Sequence, residues 1–358
     1  MNDIKISSRQ LTWLIIGMAL STPTLTMPRV LIFYCKQNAW LPLLLAISGV
    51  VTGVLLCTTL AKKFPGQTIA QYSQILLGKW GGRTVGLFYG LGCLLISALS
   101  ARSYAQLFQI AIMPETPLWA FVISLTLVCV YMAWQGVEPI TRTNDIFVPI
   151  TLISLLLILL PAFPQGKLYY ALPNAGFNFE HTISAAIIPF GYLSEIASIL
   201  FLAPILNKQE ELKASCLKGL FAAGALLLII TQLVLFVMGT YRASSYIFPL
   251  LNIAEEFYVL NVFEKFEPLL LAAWLTLICM KSSLFIYLFA VSTSQATSPK
   301  VYRYLILAAL VAVPAIALAS PNLAVHKELV TLFFKTLSPI SLIVIPMFLL
   351  LITKIRHP

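Results

Sequence analysis

Charged residues are scarce in this sequence. Asp, Glu, Lys and Arg make up 10% of its 358 residues, whereas hydrophobic residues make up 59%. A soluble domain ordinarily carries charge on about 25% of its residues, because its surface faces water. Such a low charge content excludes a soluble globular domain and indicates an all-α protein that crosses a membrane many times.

Cysteine and histidine patterns are missing as well. The six cysteines stand singly, without a C-x-x-C pair, and the three histidines form no cluster with metal-ligand spacing. This argues against a disulfide framework and a zinc site, and we expect neither a metal nor a cofactor. The sequence contains no motif of enzymatic catalysis and no apolar segment followed by a signal-peptide cleavage site.

Acidic residues are few, with 13 against 23 Lys and Arg, so the net charge is +10. A basic balance can indicate a nucleic-acid-binding protein. Here, however, the basic residues lie in short loops between apolar segments. We therefore expect contact with the lipid bilayer and none with nucleic acid.

Ten apolar segments are long enough to cross a bilayer, which takes about 20 helical residues. Their approximate bounds are 10–33, 39–61, 83–113, 117–134, 145–163, 181–206, 216–240, 267–292, 302–320 and 330–353. An even number puts both termini on one side. Fourteen of the 23 Lys and Arg fall in segments on that side, five on the other, and four within or at the ends of spans. The positive-inside rule therefore predicts cytoplasmic termini and a single integral membrane domain over residues 1–358.

The sixth span carries a helix-breaking sequence in its middle, where Pro189-Phe190-Gly191-Tyr192 is followed by Glu195. Proline removes a backbone donor, and glycine relaxes the backbone. Broken backbone at membrane depth is tolerated only where protein buries it or a cavity wets it. A break beside a charge therefore indicates a binding site. The alternative is a simple proline kink, with Glu195 paired to another helix.

The first span is interrupted in a similar way. Gly17, Pro23 and Pro28 accompany the polar tetrad Ser21-Thr22-Pro23-Thr24 near mid-span, which predicts unwinding around the tetrad. Because the first and sixth spans are five apart, the breaks predict two inverted repeats, at about 10–163 and 181–353. The site is expected at the interface between the repeats.

The third span carries a stripe of small and polar residues on one helical face, formed by Cys93, Ser97, Ser100 and Tyr104. Such a stripe either packs closely on a neighbouring helix or lines a cavity. Arg102 lies close to this stripe in the sequence. Inserting an arginine at the centre of a membrane helix costs about 2.5–3.5 kcal/mol, so Arg102 needs a partner or must snorkel to the outer interface.

The eighth span carries Lys281 near mid-membrane, with Ser282, Ser283 and Tyr287 close by. A buried ammonium needs a counter-charge, and Glu195 is the carboxylate at matching depth. The pair serves either as a structural lock between spans six and eight or as a ligand or proton site. Ser282 and Ser283 offer a further alternative, a sodium site.

Taken together, these residues resemble the endospore germination permeases, the B subunits of nutrient germinant receptors in the amino acid–polyamine–organocation superfamily. The resemblance extends over nearly the whole chain and depends on the order and spacing of several short motifs. They are residues 6–11, 38–40, 64–68, 77–80, Arg102, 114–118, Pro189-Phe190-Gly191, 248–250, Trp274, and Lys281 with Tyr287. This chain departs from the family pattern at Ser21 and Pro23, and in having Tyr192 after Gly191 where members often have glutamate.

The resemblance implies a ten-helix fold like that of the sodium-coupled leucine transporter, with unwound first and sixth helices. It also implies residence in the spore inner membrane beside a larger A subunit and a C-subunit lipoprotein. The implied role is to sense a small nutrient, often an amino acid. The alternative is a proton-coupled amino-acid transporter of the same fold.

The ligand is expected between the two breaks, against the third and eighth spans. The predicted binding residues are Ser21, Thr22, Pro23, Thr24, Cys93, Ser97, Phe190, Gly191, Tyr192, Glu195 and Tyr287. The predicted coupling or ion-pair residues are Arg102, Glu195 and Lys281.

Overall fold

The computed structural model describes residues 5–173, 178–256 and 267–356, and within these ranges the chain is almost entirely helical. The α-helices are α1 Ser8–Ser21, α2 Pro23–Cys35, α3 Trp40–Lys63, α4 Ile69–Ala111, α5 Leu118–Gln135, α6 Val137–Ala162, α7 Leu168–Ala171, α8 Phe179–Leu193, α9 Ile199–Leu202, α10 Leu212–Ser245, α11 Pro249–Glu256, α12 Glu267–Ala296, α13 Tyr302–Leu318, α14 Leu323–Pro339 and α15 Ile345–Arg356.

Ten membrane spans can be formed from the described helices. Nine helical stretches are long and apolar enough to cross a bilayer, and α1 with α2 forms a tenth span bent by 52°. The sixth span runs from α8 to the turn after α9, and the last span combines α14 and α15. The last span begins at Leu323, about two turns earlier than the sequence predicted.

The break in the first span is narrower than the polar tetrad, since only Thr22 separates α1 from α2. Pro23 begins α2, a position where its missing N–H removes no intrahelical bond. The Ser21 hydroxyl donates to the Met18 carbonyl at 2.8 Å, and the Thr24 hydroxyl donates to the Leu20 carbonyl. These back-bonds are a known way of bending a helix and satisfy carbonyls beside the break.

The sixth span tightens where the sequence predicts a break. Helix α8 contains Pro189 and ends at Leu193, and Ser194–Ser198 then forms a 3-10 turn before α9. A 3-10 turn has three residues per turn and poorer hydrogen-bond geometry than an α-helix, and in mid-helix it often marks a hinge. Glu195 lies in this turn and is buried.

The two interrupted spans lie at the centre of the helix packing. Helix α1 packs against α6, α10 and α12, α2 packs against α8 and α10, and α8 packs also against α3 and α14. Helix α12 has its most extensive contact with α4. Small residues allow this approach, since a Cβ on Gly90 would lie 2.3 Å from the Thr293 hydroxyl and one on Gly86 would lie 2.9 Å from Ala296.

Candidate functional site

A buried ion pair connects the two interrupted spans to α12. Lys281 lies at the midpoint of α12, about 21 Å from each end at 1.5 Å per residue. Its Nζ lies 2.7 Å from Glu195 Oε1 and 3.1 Å from Thr22 Oγ1. The same Nζ lies 5.6 Å from the centre of the Tyr192 ring. One ammonium group thus contacts the break in the first span and the tight turn in the sixth.

The pair is removed from solvent almost completely. The side chains of Lys281 and Glu195 are 1% and 4% exposed. Two opposite charges at this depth must stay together, because either one alone would carry a large desolvation penalty. Glu195 Oε2, however, is buried and has no hydrogen-bond partner among the described residues. The carboxylate therefore keeps one acceptor that a ligand or a water molecule can use.

Two cavities meet at Glu195. The inner cavity lies on the side of the chain termini. The volume that the centres of water molecules can occupy in it is about 40 Å³. Its lining comprises Phe88, Tyr89, Gly92, Cys93, Ile96, Ser194, Glu195, Ala197, Ser198, Phe201, Phe285, Phe333, Leu337, Ser338 and Ser341. Since one water needs roughly 10–15 Å³ by this measure, the inner cavity has room for about three.

The outer cavity lies on the opposite side of the ion pair and is smaller, because its volume by the same measure is about 10 Å³. Its lining comprises Thr22, Ile96, Leu99, Ser100, Ser103, Tyr192, Glu195, Lys281, Val330, Phe333 and Phe334. Glu195, Ile96 and Phe333 line both cavities, so these three residues form the partition between them. Neither cavity has room for an amino acid without a movement of the helices around it.

Tyr89 and an irregular turn in the last span line the inner cavity together. The Tyr89 hydroxyl donates to the Ser341 carbonyl, and its ring meets Phe201 edge-on with centroids 5.7 Å apart. Ser341 belongs to the π-helical turn Ile340–Val344, which follows Pro339. A π turn changes the helical hydrogen-bond pattern and is frequently found at functional sites. The side chain of Tyr89 thus joins α4 to this turn.

Five of the sequence-predicted residues line the two cavities. Thr22, Tyr192, Glu195 and Lys281 line the outer cavity, and Cys93 lines the inner one. Glu195 and Lys281 form the ion pair that their matching depth predicts. Their role in binding a ligand stays a prediction.

The other predicted residues line neither cavity. Phe190 packs near Gly49 of α3, the Ser97 hydroxyl donates to the Ser282 carbonyl at 3.5 Å, and Tyr287 meets Tyr302 at a centroid distance of 6.2 Å. Ser21 and Thr24 bond within their own span. Pro23, Gly191 and Arg102 are also absent from both linings.

Arg102 is predicted to be a coupling or ion-pair residue that needs a partner. It forms no ion pair with any described residue, and Glu195 is paired with Lys281. The residue is 7% exposed, and the alternative that its side chain snorkels to the outer interface stays a prediction. The sodium alternative is based on Ser282 and Ser283. The Ser283 hydroxyl donates to the Cys279 carbonyl at 2.7 Å, whereas the Ser282 hydroxyl is buried and has no partner among the described residues.

Sequence reasoning missed the contribution of the last span. Phe333 and Phe334 line the outer cavity, and Ser338 and Ser341 line the inner one. A signal was present in the sequence, because Ser338-Pro339 interrupts an otherwise apolar segment in the same way as the prolines of spans one and six.

Comparison with known proteins gives a consistent result. The profile of a family described as spore germination protein matches residues 5–324. A similar relative is the spore germination protein YndE of Bacillus subtilis strain 168, 24% identical over 302 residues that cover 83% of this chain and 82% of YndE. The spore germination protein B2 of the same organism is 23% identical over 274 residues, which cover 76% and 74% of the two chains.

Solved structures show the fold. The crystal structure of MhsT in complex with L-phenylalanine superposes with a TM-score of 0.70 at 13% identity, covering 95% of this chain and 89% of MhsT. A Na⁺-coupled sialic acid symporter gives a TM-score of 0.68 at 12% identity, covering 95% and 80%. These neighbours have the leucine-transporter fold, so the fold predicted from the sequence is confirmed.

Proposed function

Because this chain belongs to the spore germination protein family, we propose that it is the membrane subunit of a spore nutrient germinant receptor. It binds a small nutrient, an amino acid, at mid-membrane between the two interrupted spans. The observation that carries this proposal is the buried contact of Lys281 with both Glu195 and Thr22. That contact connects the three helical elements that a ligand at this position would move.

The charges of the pair suit a zwitterion. The carboxylate of an amino acid would bind the Lys281 ammonium, and its own ammonium would bind Glu195, whose Oε2 is open to a donor. When the ligand's two charges replace the contact between Lys281 and Glu195, every buried charge stays compensated. Removal of one partner alone would leave a buried charge uncompensated. We therefore favour an amino acid over an uncharged nutrient.

Binding would act on conformation. A ligand between Glu195 and Lys281 separates the 3-10 turn of the sixth span from α12 and requires both small cavities to widen. Its binding energy then favours a second arrangement of these helices. We propose that this change passes to the A subunit and the C-subunit lipoprotein in the spore inner membrane, with both termini of this chain in the cytoplasm.

The decisive experiment is a deletion of the gene followed by a nutrient screen of the spores. Loss of germination with one amino acid or a few related ones is expected, and the native gene should restore it. Lys281→Met should fail to restore the response, whereas Lys300→Met should restore it fully, because Lys300 is exposed. A deletion strain that germinates normally with every nutrient tested would contradict the receptor assignment.

The alternative is a proton-coupled amino-acid transporter of the same fold, in which the buried Lys281–Glu195 pair would be the proton site. Uptake of labelled amino acids into proteoliposomes that contain only this chain separates the two functions. We expect saturable binding without accumulation. Accumulation driven by a proton gradient would instead establish the transporter.

A further inference from the structure

Arg102 is an enclosed cation without a counter-charge among the described residues. It lies about 13 Å before the end of α4, is 7% exposed, and forms no ion pair within ranges 5–173, 178–256 and 267–356. Its Nε is buried and has no acceptor there. Because an arginine at this depth is costly, a guanidinium that the described residues leave uncompensated is suited to bind an anionic group supplied from elsewhere.

A buried histidine contacts Ser103, the residue that follows Arg102. His326 of α14 is 4% exposed, and its Nε2 lies 3.2 Å from the hydroxyl of Ser103, the residue next to Arg102. Its Nδ1 is buried and has no partner among the described residues. The charge of Arg102 acts on the His326 ring. The Ser103 hydroxyl also lies 3.0 Å from the Leu99 carbonyl, so its single proton goes either to that carbonyl or to His326 Nε2. When the proton goes to Nε2, Nδ1 carries the ring proton and is a free donor.

These donors lie next to the outer cavity. Ser103 lines it, as does Val330, which is one helical turn beyond His326. The same cavity is lined by Lys281 and Glu195, so a solute that contacts Ser103 stands on the route to the ion pair. The two positions differ in charge, because Lys281 is compensated by Glu195 whereas Arg102 is not compensated by any described residue.

We propose that Arg102, Ser103 and His326 form an anion site that binds the carboxylate of a small solute before it reaches the centre of the membrane. The guanidinium offers a planar fork of donors that matches a carboxylate in geometry and charge. In the tautomer whose Nε2 accepts from the Ser103 hydroxyl, the Nδ1–H of His326 supplies a further donor. This outer anion site recognises one negative charge, and its chemistry does not depend on the zwitterion exchange proposed at Glu195 and Lys281.

The test uses acetate as a probe, with acetamide as its uncharged counterpart of similar shape. The purified full chain is placed in nanodiscs of phosphatidylcholine, and acetate replaces chloride at constant sodium concentration. The midpoint of thermal unfolding is expected to rise with acetate and to stay constant with acetamide, because a ligand that binds only the folded state stabilises it.

Variants assign the response to the site. Arg102→Gln should weaken the apparent acetate affinity at least tenfold, and His326→Gln should weaken it to a smaller extent. Arg102→Lys should retain part of the response, which keeps the test valid if Arg102→Gln folds poorly. Lys300→Gln is the control, because it removes an exposed cation in the segment between α12 and α13, away from the proposed site, and it should respond like the native chain.

Four results would overturn the proposal. One is an unchanged acetate response in Arg102→Gln, and another is a response lost in Lys281→Met but kept in Arg102→Gln. A third is suppression of the response by phosphatidylglycerol, which would make the anion a lipid phosphate. The fourth concerns Glu264, which lies outside the described residues: non-additive destabilisation by Arg102→Gln and Glu264→Gln would give Arg102 a partner within the chain.

Discussion

At the scale of single residues, the central ion pair is tolerated in the protein interior only when both of its charges are present. Lys281 and Glu195 are both almost fully buried, and their charges are 2.7 Å apart. In such an environment the attraction between the charges roughly offsets the loss of their hydration. Removal of one partner leaves the other uncompensated at a cost of roughly 3–5 kcal/mol.

We therefore predict a strong interaction between substitutions of the pair. Glu195→Gln and Lys281→Met should each lower the free energy of unfolding by roughly 3–5 kcal/mol, and the double variant should be more stable than either. Chemical unfolding of the purified chain in detergent measures these differences, with Lys300→Met as an exposed control. Equal stability of the single variants and the control would show that the pair does not contribute to the free energy of unfolding.

The same series separates structure from response. The double variant regains stability but lacks both charges that are proposed to bind a zwitterion. Spores that carry it should therefore lack the nutrient response that is proposed for the native chain. A response equal to that of the native chain would remove the pair from the binding site and leave it as a structural lock.

The sequence was sufficient to predict this pair but not its surroundings. Matching depth within two apolar spans was enough to connect Glu195 with Lys281. The contact with Thr22 depends on a break of only one residue, and the uncompensated state of Arg102 depends on which helix faces it. The rotation of each helix about its axis decides which side chains meet. Packing sets this rotation, and the spacing of residues in the sequence does not reveal it.

At the scale of helices, α8 and α14 approach closely because Gly191 has no side chain. A Cβ at Gly191 would lie 2.0 Å from Phe334 Cγ and 2.4 Å from its Cβ. These atoms are at the root of the ring, so rotation of the side chain cannot relieve the clash. Phe334 also meets Tyr192 at a centroid distance of 4.5 Å, so this contact positions one wall of the outer cavity.

Gly191→Ala is therefore expected to destabilise the chain by about 1–3 kcal/mol, the usual range for an overfilled core. Chemical unfolding measures the change. Gly92→Ala is the matched control, because a Cβ there meets no atom within 4 Å, and alanine favours a helix over glycine by up to about 1 kcal/mol. Phe334→Leu should recover part of the loss in Gly191→Ala. Similar effects of the two glycine substitutions would contradict close α8–α14 packing.

Helix interruptions were predicted in position but not in extent. Prolines and glycines marked where spans one and six depart from a regular helix, and the structure has a one-residue break and a 3-10 turn there. The sequence cannot give the extent because freed carbonyls find local partners, such as the hydroxyls of Ser21 and Thr24. The π turn at Ile340–Val344 was missed, although Pro339 marks it.

At the scale of the whole molecule, the two cavities lie on opposite sides of one partition and neither provides a through-route. Glu195, Ile96 and Phe333 line both, and the Tyr89–Ser341 hydrogen bond lies at the inner one. The described residues therefore form two separate cavities that share one wall and not a single continuous channel.

Thiol labelling from each face of the membrane tests this arrangement. Cys93 lines the inner cavity, and Ser103 lines the outer one. With the other five cysteines replaced by alanine, Cys93 should react with an impermeant maleimide added on the side of the termini, at least tenfold faster than from the opposite side. Ser103→Cys in a chain that lacks Cys93 should show the reverse preference.

The rate at Cys93 should depend on the Tyr89–Ser341 hydrogen bond. Tyr89→Phe removes the hydroxyl that donates to Ser341, and loss of a hydrogen bond worth about 1 kcal/mol predicts roughly fivefold faster labelling of Cys93 from the side of the termini. Ser103→Cys should label at an unchanged rate, because the partition lies between it and Tyr89. Labelling of both positions from one side, or of either position equally from both, would mean that the partition does not separate the two faces of the membrane.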